Sequence, residues 1–250
     1  MIRLLEGSRI DDRGDYLVIR SPNNPTYWWG NFLLLSAPPA PGQAGEWLAT
    51  FAAEFPAAKH VALGIDVTEI SAVDVGELMA EDLRLDRSAV LTATAVHEPP
   101  HPNQAATYRE LAGDDDWLQA ADLRAVLNEG EPGSESTFLA ARIAAERALT
   151  EAGHGSWFGA FVDGKLVAQL GLITDGSGIA RYQNVETHPG WRRQGLAGTL
   201  VWRAGQHGID NLAARTLVMA ADPAYVAIRV YRSVGFIDAE TQIGFERQPG

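Results

Sequence analysis

Thr187-His188-Pro189-Gly190-Trp191-Arg192-Arg193-Gln194-Gly195-Leu196-Ala197 decides how the rest of the chain is read. The segment leaves an apolar, strand-like stretch (Tyr182 to Thr187), makes a glycine-containing turn with two arginines, and enters an amphipathic helix. Such a turn aims successive backbone N–H groups and a helix N-terminus at one point, and that point binds phosphate. It is not a nucleotide P-loop, because no Gly-Lys-[Ser/Thr] follows. Nor is it a dinucleotide fingerprint, since Gly195-Leu196-Ala197-Gly198 lacks the Gly-x-Gly-x-x-Gly spacing.

Composition narrows the phosphate's owner. The 250 residues are 46% apolar and 21% charged, enough for a real core and too apolar for disorder. With no cysteine there is no disulfide, thiolate metal site or thiol nucleophile. A net charge of −12 argues against general nucleic-acid binding, which wants a basic face. It fits either a cationic substrate or a surface that merely keeps the protein soluble. The two arginines of the turn stand out against that background. The start, Met1-Ile2-Arg3-Leu4-Leu5-Glu6, turns polar too early for a signal peptide, and no apolar run approaches the roughly 20 residues of a membrane helix. The expectation is a soluble cytoplasmic protein without a membrane partner.

Working outward from the turn, an α/β order emerges. Ala89 to Val96 predicts a strand. Helices follow over Asp115–Leu127 and Ser136–Glu151, the second stopped by Gly153. Trp157–Val162 and Lys165–Ile173 flank Asp163-Gly164, a strong hairpin signal. A further turn at Asp175–Gly178 leads into Ile179–Thr187, so three antiparallel strands reach the phosphate turn. Beyond it come a helix over Gly195–Gly208 and a strand over Thr216–Ala221. Asp222-Pro223 then reads as an N-cap and first helical proline, Gly235 as a helix stop, and Phe236 onward as a last strand.

The first half repeats this order: strand Asn31–Leu35, helix Gly45–Phe55, strand His60–Asp66, helix Val73–Ala80, and a strand near Arg84–Val96. Ser36-Ala37-Pro38-Pro39-Ala40-Pro41-Gly42 replaces the arginine–glycine turn there. Its prolines lack the N–H groups that a phosphate needs. The expected division is therefore residues 1–88 and 89–250.

Two separated motifs then agree. Arg192-Arg193-Gln194-Gly195-Leu196-Ala197 resembles the [Gln/Arg]-x-x-Gly-x-[Gly/Ala] signature of the GNAT superfamily of acyl-CoA N-acetyltransferases. Ala227-x-x-Val230-Tyr231-x-x-Val234-Gly235-Phe236 looks like that family's later Ala-x-x-[Leu/Ile]-Tyr-x-x-x-Gly-Phe segment. The resemblance covers residues 89–250 and makes the first half a smaller, degenerate relative. It implies an α/β (α+β) fold with a mixed, mostly antiparallel sheet flanked by helices. It also implies transfer of acetyl from acetyl-CoA to an amine acceptor by direct attack, without a metal.

On that resemblance, the N–H groups of Arg193, Gln194, Gly195, Leu196, Ala197 and Gly198 wrap the pyrophosphate, and Arg192 or Arg193 adds a charged contact. The strand before the turn splays from its neighbour, and the main chain of Val185 and Thr187 pairs with the pantetheine arm. A backbone N–H there meets the thioester oxygen as charge builds on it. Tyr231 is the general acid for the departing thiolate, or else a core tyrosine. The amine needs a base, since an ammonium of pKa about 10 is protonated at neutral pH. Relatives often carry a glutamate where this chain has Arg181. Glu186 and a water-mediated route are the two candidates left, with His188 read as a surface residue. Ala224 stands where relatives often have an asparagine. The alternative function is a catalytically silent acyl-CoA-binding regulatory module.

Two features remain outside this scheme. His97-Glu98-Pro99-Pro100-His101 spells a zinc-protease pattern, but prolines at the intervening positions oppose the helix it needs. Tyr27-Trp28-Trp29 reads as either interdomain packing or an acceptor-pocket wall. The acceptor is not legible, and neither is the oligomeric state, a homodimer included.

Overall fold

The computed structural model describes residues 2–128 and 136–248. Its first elements are α1 (Ile2–Leu5), β1 (Arg9–Asp12), β2 (Tyr16–Arg20), β3 (Phe32–Leu35), α2 (Ala44–Glu54), β4 (Val61–Ile65), α3 (Ala72–Ala80) and β5 (Arg84–Ala93). Then come β6 (Thr107–Glu110), α4 (Gly113–Leu127), α5 (Ser136–Glu151), β7 (Gly155–Val162), β8 (Lys165–Thr174) and β9 (Ile179–Thr187). The chain continues through α6 (Leu196–Asn211), β10 (Thr216–Ala221), α7 (Ala227–Arg232) and β11 (Ile237–Arg247). It divides into two compact units, one of Met1–Leu5 with Val90–Ala239, the other of Glu6–Ala89 with Glu240–Gly250. Neither is contiguous in sequence: the division falls inside β5 and inside β11. No helix among the described residues is long and apolar enough to cross a membrane.

In the larger unit the strand order is β10-β9-β8-β7-β6, antiparallel except for the parallel β9/β10 pair. The β7/β8 hairpin turns on Asp163 (φ 49°) and Gly164 (φ 78°), both left-handed as a two-residue turn of this hand requires. Side chains alternate between the two faces of β8. Gln169 faces α4, bonding Ala120 O, and Leu172 faces α6, while a register shift before Ala168 turns Leu166 to the α4 side as well. On the α4 and α5 side, Trp117, Ala120, Leu123 and Ile143 pack on Trp157, Phe161 and Leu166. On the other, α6 buries Leu196, Leu200, Val201 and Ala204. Glycines bring that helix close: a Cβ at Gly205 would lie 2.6 Å from the Tyr182 hydroxyl, and at Gly208 2.7 Å from Leu172. The Tyr182 hydroxyl donates to Val201 O at 2.7 Å, and burial pushes its pKa far up.

The smaller unit has the order β1-β2-β3-β4-β11, with β3 and β4 parallel and β11 antiparallel to β4 from Ile243↔Ile65 to Arg247↔Val61. Leu33, Leu35, Phe51, Leu63, Ile65, Leu78, Ile243 and Phe245 form its core. The Trp28 ring stacks on His60, and the Trp29 indole donates to Glu246 at 2.9 Å. Those aromatic contacts lie within this unit.

The structure corrects two boundaries and adds three strands. The helix expected from Pro223 begins only at Ala227, because the Asp222 carboxylate accepts from Ala224 N (2.8 Å) and its carbonyl from Tyr225 N (3.1 Å), a turn rather than a cap. The strand expected to reach Val96 stops at Ala93. Strands β1, β2 and β6 were not foreseen. Strands β1 and β6 sit at an edge of their units, mostly exposed and polar, where no alternation is imposed.

Candidate functional site

Strands β9 and β10 are paired over only part of their length. Their parallel ladder runs over Thr216↔Ile179, Leu217↔Ala180 and Val218↔Arg181, and ends there. On its other side β9 stays paired with β8 to Ala168↔Thr187, but with one residue too many: Gln169 faces Glu186, while Gly171 faces Gln183. Asn184, at φ 43°, absorbs the extra residue. This β-bulge bends β9 and adds local twist. The main chain from Val185 to Thr187 lies beyond the ladder with β10. The corresponding pair in the smaller unit stays closed, paired to Leu35↔Ile65 and continued by Asp66 N donating to Leu35 O at 2.8 Å.

The turn after β9 is built from short local bonds. His188 N donates to Val167 O at 2.9 Å, and His188 Nδ1 accepts from Gly190 N at 3.1 Å, which gives this histidine a capping task. Arg192 Nε donates to Thr187 O at 3.3 Å. Arg193 (φ 62°) and Gly195 (φ 77°) both take the left-handed conformation, and Gly195 caps α6. A glycine cap has no side chain to satisfy the N–H groups of Leu196, Ala197 and Gly198, which start the helix without intrahelical partners. Arg192, Arg193 and Gln194 are exposed, and Arg193 has no ion pair among the described residues. The turn is braced from behind by Asn103, whose Nδ2 donates to Gln194 O (2.8 Å) and whose N donates to Thr199 Oγ1 (2.9 Å). A Cβ at Gly195 would lie 2.3 Å from His101 O.

Tyr231, on α7, is 6% exposed. Burial pushes its phenol up to about 12, with a smaller push from Tyr225. Glu186 does not stand free. Its carboxylate accepts from Arg124 Nε at 3.0 Å, Arg124 Nη2 at 3.2 Å and Gln169 Nε2 at 2.6 Å. Arg124 continues through Nη1 to both oxygens of Glu146 (2.8 and 2.7 Å). Glu146 also accepts from Asn184 Nδ2 at 2.8 Å and from Arg142 at 3.4 Å. Burial works against the Arg124 charge, but the two carboxylates outweigh it and hold its pKa above the ordinary value.

Residues 97–101 are not helical, so the two histidines of the zinc-like pattern do not share a helix face. Pro99 instead lies against Gly198, and no group of histidine, aspartate and glutamate among the described residues is placed to hold a metal. Sequence reasoning missed Asn103, Arg124, Glu146, Gln169 and Asn184. For Arg124 a signal existed: it falls on the same helical stripe as Trp117 and Ala120, where a charged residue needs a buried partner.

Residues 120–236 match the model of the Acetyltransferase (GNAT) family. No curated protein matches the chain. Among solved structures, a functionally unknown conserved protein from Staphylococcus epidermidis is similar with a TM-score of 0.73 at 11% identity, over 96% of this chain and 93% of that one. A GCN5-related N-acetyltransferase from Kribbella flavida matches with a TM-score of 0.64 at 20% identity, over 97% and 90%. A tandem GNAT protein from the clavulanic acid biosynthesis pathway matches with a TM-score of 0.58 at 13% identity, over 97% and 84%. At these identities the likeness is one of fold.

Proposed function

We propose, from the match of residues 120–236 to the GNAT acetyltransferase family model, that this chain moves an acetyl group from acetyl-CoA to an amine. Acyl transfer from an acyl-CoA is what the family supports; the acetyl donor, the amine acceptor and the residue roles are our reading. The observation that carries it is the main chain at the end of β9, unpaired on its β10 side, followed after the short His188–Gln194 turn by the Gly195-capped helix. One run of backbone thus offers a pantetheine-pairing edge and a diphosphate cradle in series.

The acyl-CoA pyrophosphate sits on the N–H groups from Arg193 to Gly198, with Arg193 or Arg192 adding charge. The pantetheine amides pair with Val185 and Thr187, and the Val185 N–H meets the thioester oxygen. The neutral amine attacks the carbonyl carbon, a C–N bond forms, and the tetrahedral intermediate collapses by breaking the C–S bond. Tyr231 gives its proton to the leaving thiolate. The nitrogen loses its proton to water, because the Glu186 carboxylate is already engaged by Arg124 and Gln169. The first half, with a closed β3/β4 ladder and a proline-rich turn, is a degenerate relative that holds no acyl-CoA of its own.

A second reading, a silent acyl-CoA-binding regulatory module, draws on that same engagement of Glu186 and on Arg181 standing where relatives carry a glutamate. Isothermal titration with CoA and acetyl-CoA, then thiol release across an amine panel, separates the two. We expect one equivalent bound per chain and turnover on at least one amine. Binding with no turnover on any amine favours the silent module, and an absence of binding ends both readings.

A further inference from the structure

If Val185 N–H polarises the thioester, its direction is set by the two residues on either side of it, and both are tethered to one buried ion pair. Asn184 is held in the left-handed region while its side-chain amide donates to Glu146 Oε1 at 2.8 Å. Asparagine tolerates that conformation better than most residues, yet such a residue persists only where its surroundings over-determine it. Glu186 is held by the Nε and Nη2 edge of Arg124. Arg124 and Glu146 grip each other through Nη1 and both carboxylate oxygens, and are 4% and 2% exposed. One guanidinium from α4 and one carboxylate from α5 thus clamp the bulge at both shoulders of Val185. Buried ion pairs add little net stability against an apolar replacement, but their geometry is specific.

We propose that Arg124 and Glu146 are positioning residues that, through Glu186 and Asn184, aim the Val185 N–H at the thioester oxygen. This rests on the acyl-transfer reading above. It also gives Glu186 a task other than that of a base: a carboxylate that anchors one side of the bulge.

The test uses acetyl-CoA labelled with 13C at the acetyl carbonyl, bound to the full chain without acceptor, and reads the carbonyl stretch by isotope-edited infrared spectroscopy. In the unsubstituted protein the band lies below that of free acetyl-CoA, as a hydrogen-bonded carbonyl requires. In Asn184→Gly, which keeps the backbone freedom but removes the amide, and in Glu146→Gln, the band moves back toward the free position. CoA affinity stays within about twofold, because the phosphate grip belongs to other residues. Turnover on a competent amine falls on the order of tenfold or more. Asn184 is exposed, so Asn184→Gly alone decides between the outcomes if Glu146→Gln fails to fold. Variants that bind acetyl-CoA and keep the original band overturn the clamp. An unsubstituted protein that binds without a shifted band does so too, while leaving cofactor binding intact. A protein that binds no acetyl-CoA removes the acyl-transfer reading itself, and the clamp with it.

Discussion

Tyr231 carries a proton that burial makes hard to lose. With its phenol pushed up to about 12, it stays neutral throughout the working range. Raising the pH toward 10 therefore leaves the phenol protonated, and its ionisation enters only near pH 12. We expect Tyr231→Phe to lower kcat by about 100-fold, in the range found for general acids, with CoA affinity unchanged. The kcat profile should show no fall attributable to this residue between pH 7 and 10; a limb in that range that vanishes in the Phe variant would contradict it. Arg193 makes the complementary case, exposed and without an ion pair among the described residues. Arg193→Ala should weaken CoA binding by about 1.5–3 kcal/mol, the worth of a charged hydrogen bond, read by titration calorimetry. The alanine inherits the same left-handed backbone, so the melting temperature should barely move.

At the scale of elements, the junction between β9 and α6 depends on Gly195. Its φ of 77° and the 2.3 Å approach of His101 O to any Cβ act together. Gly195→Ala should cost about 1–3 kcal/mol in urea unfolding and weaken CoA as well; unchanged stability would mean that the 97–103 segment gives way freely. Elements like this one were legible because their signals are local: a glycine turn, Asp163-Gly164 between apolar runs, Gly153 after a helix. The edge strands β1 and β6 were not, since exposed polar residues there alternate with nothing. Helix α7 was overextended because Asp222-Pro223 is equally good chemistry for a turn. In the site, the glycine spacing made the left-handed turn at Gly195 and the helix after it legible; that the N–H groups there hold a diphosphate is our proposal. The Arg124 network was not legible, because Glu186 lies 62 positions from Arg124 and only the fold joins them. The bulge was hidden too, one surplus residue in an otherwise ordinary strand.

At the scale of the whole molecule, each compact unit is assembled from separated pieces of chain. Phe245, fully buried, comes from β11 yet packs with Leu33, Leu63 and Ile65 of a unit whose other residues end at Ala89. Phe245→Ala should cost that unit about 3–5 kcal/mol, and hydrogen exchange should speed up in Val61–Ile65, the strand that β11 covers. Unaltered protection there would mean that β11 contributes little to the core. The interrupted order of pieces also bears on how the protein is made. Residues 6–89 leave the ribosome long before residues 240–247, and at about 5–20 residues per second the wait is on the order of ten seconds. Throughout it the open edge of β4 has no native cover, so nascent chains stalled before residue 240 should be the ones that chaperones hold.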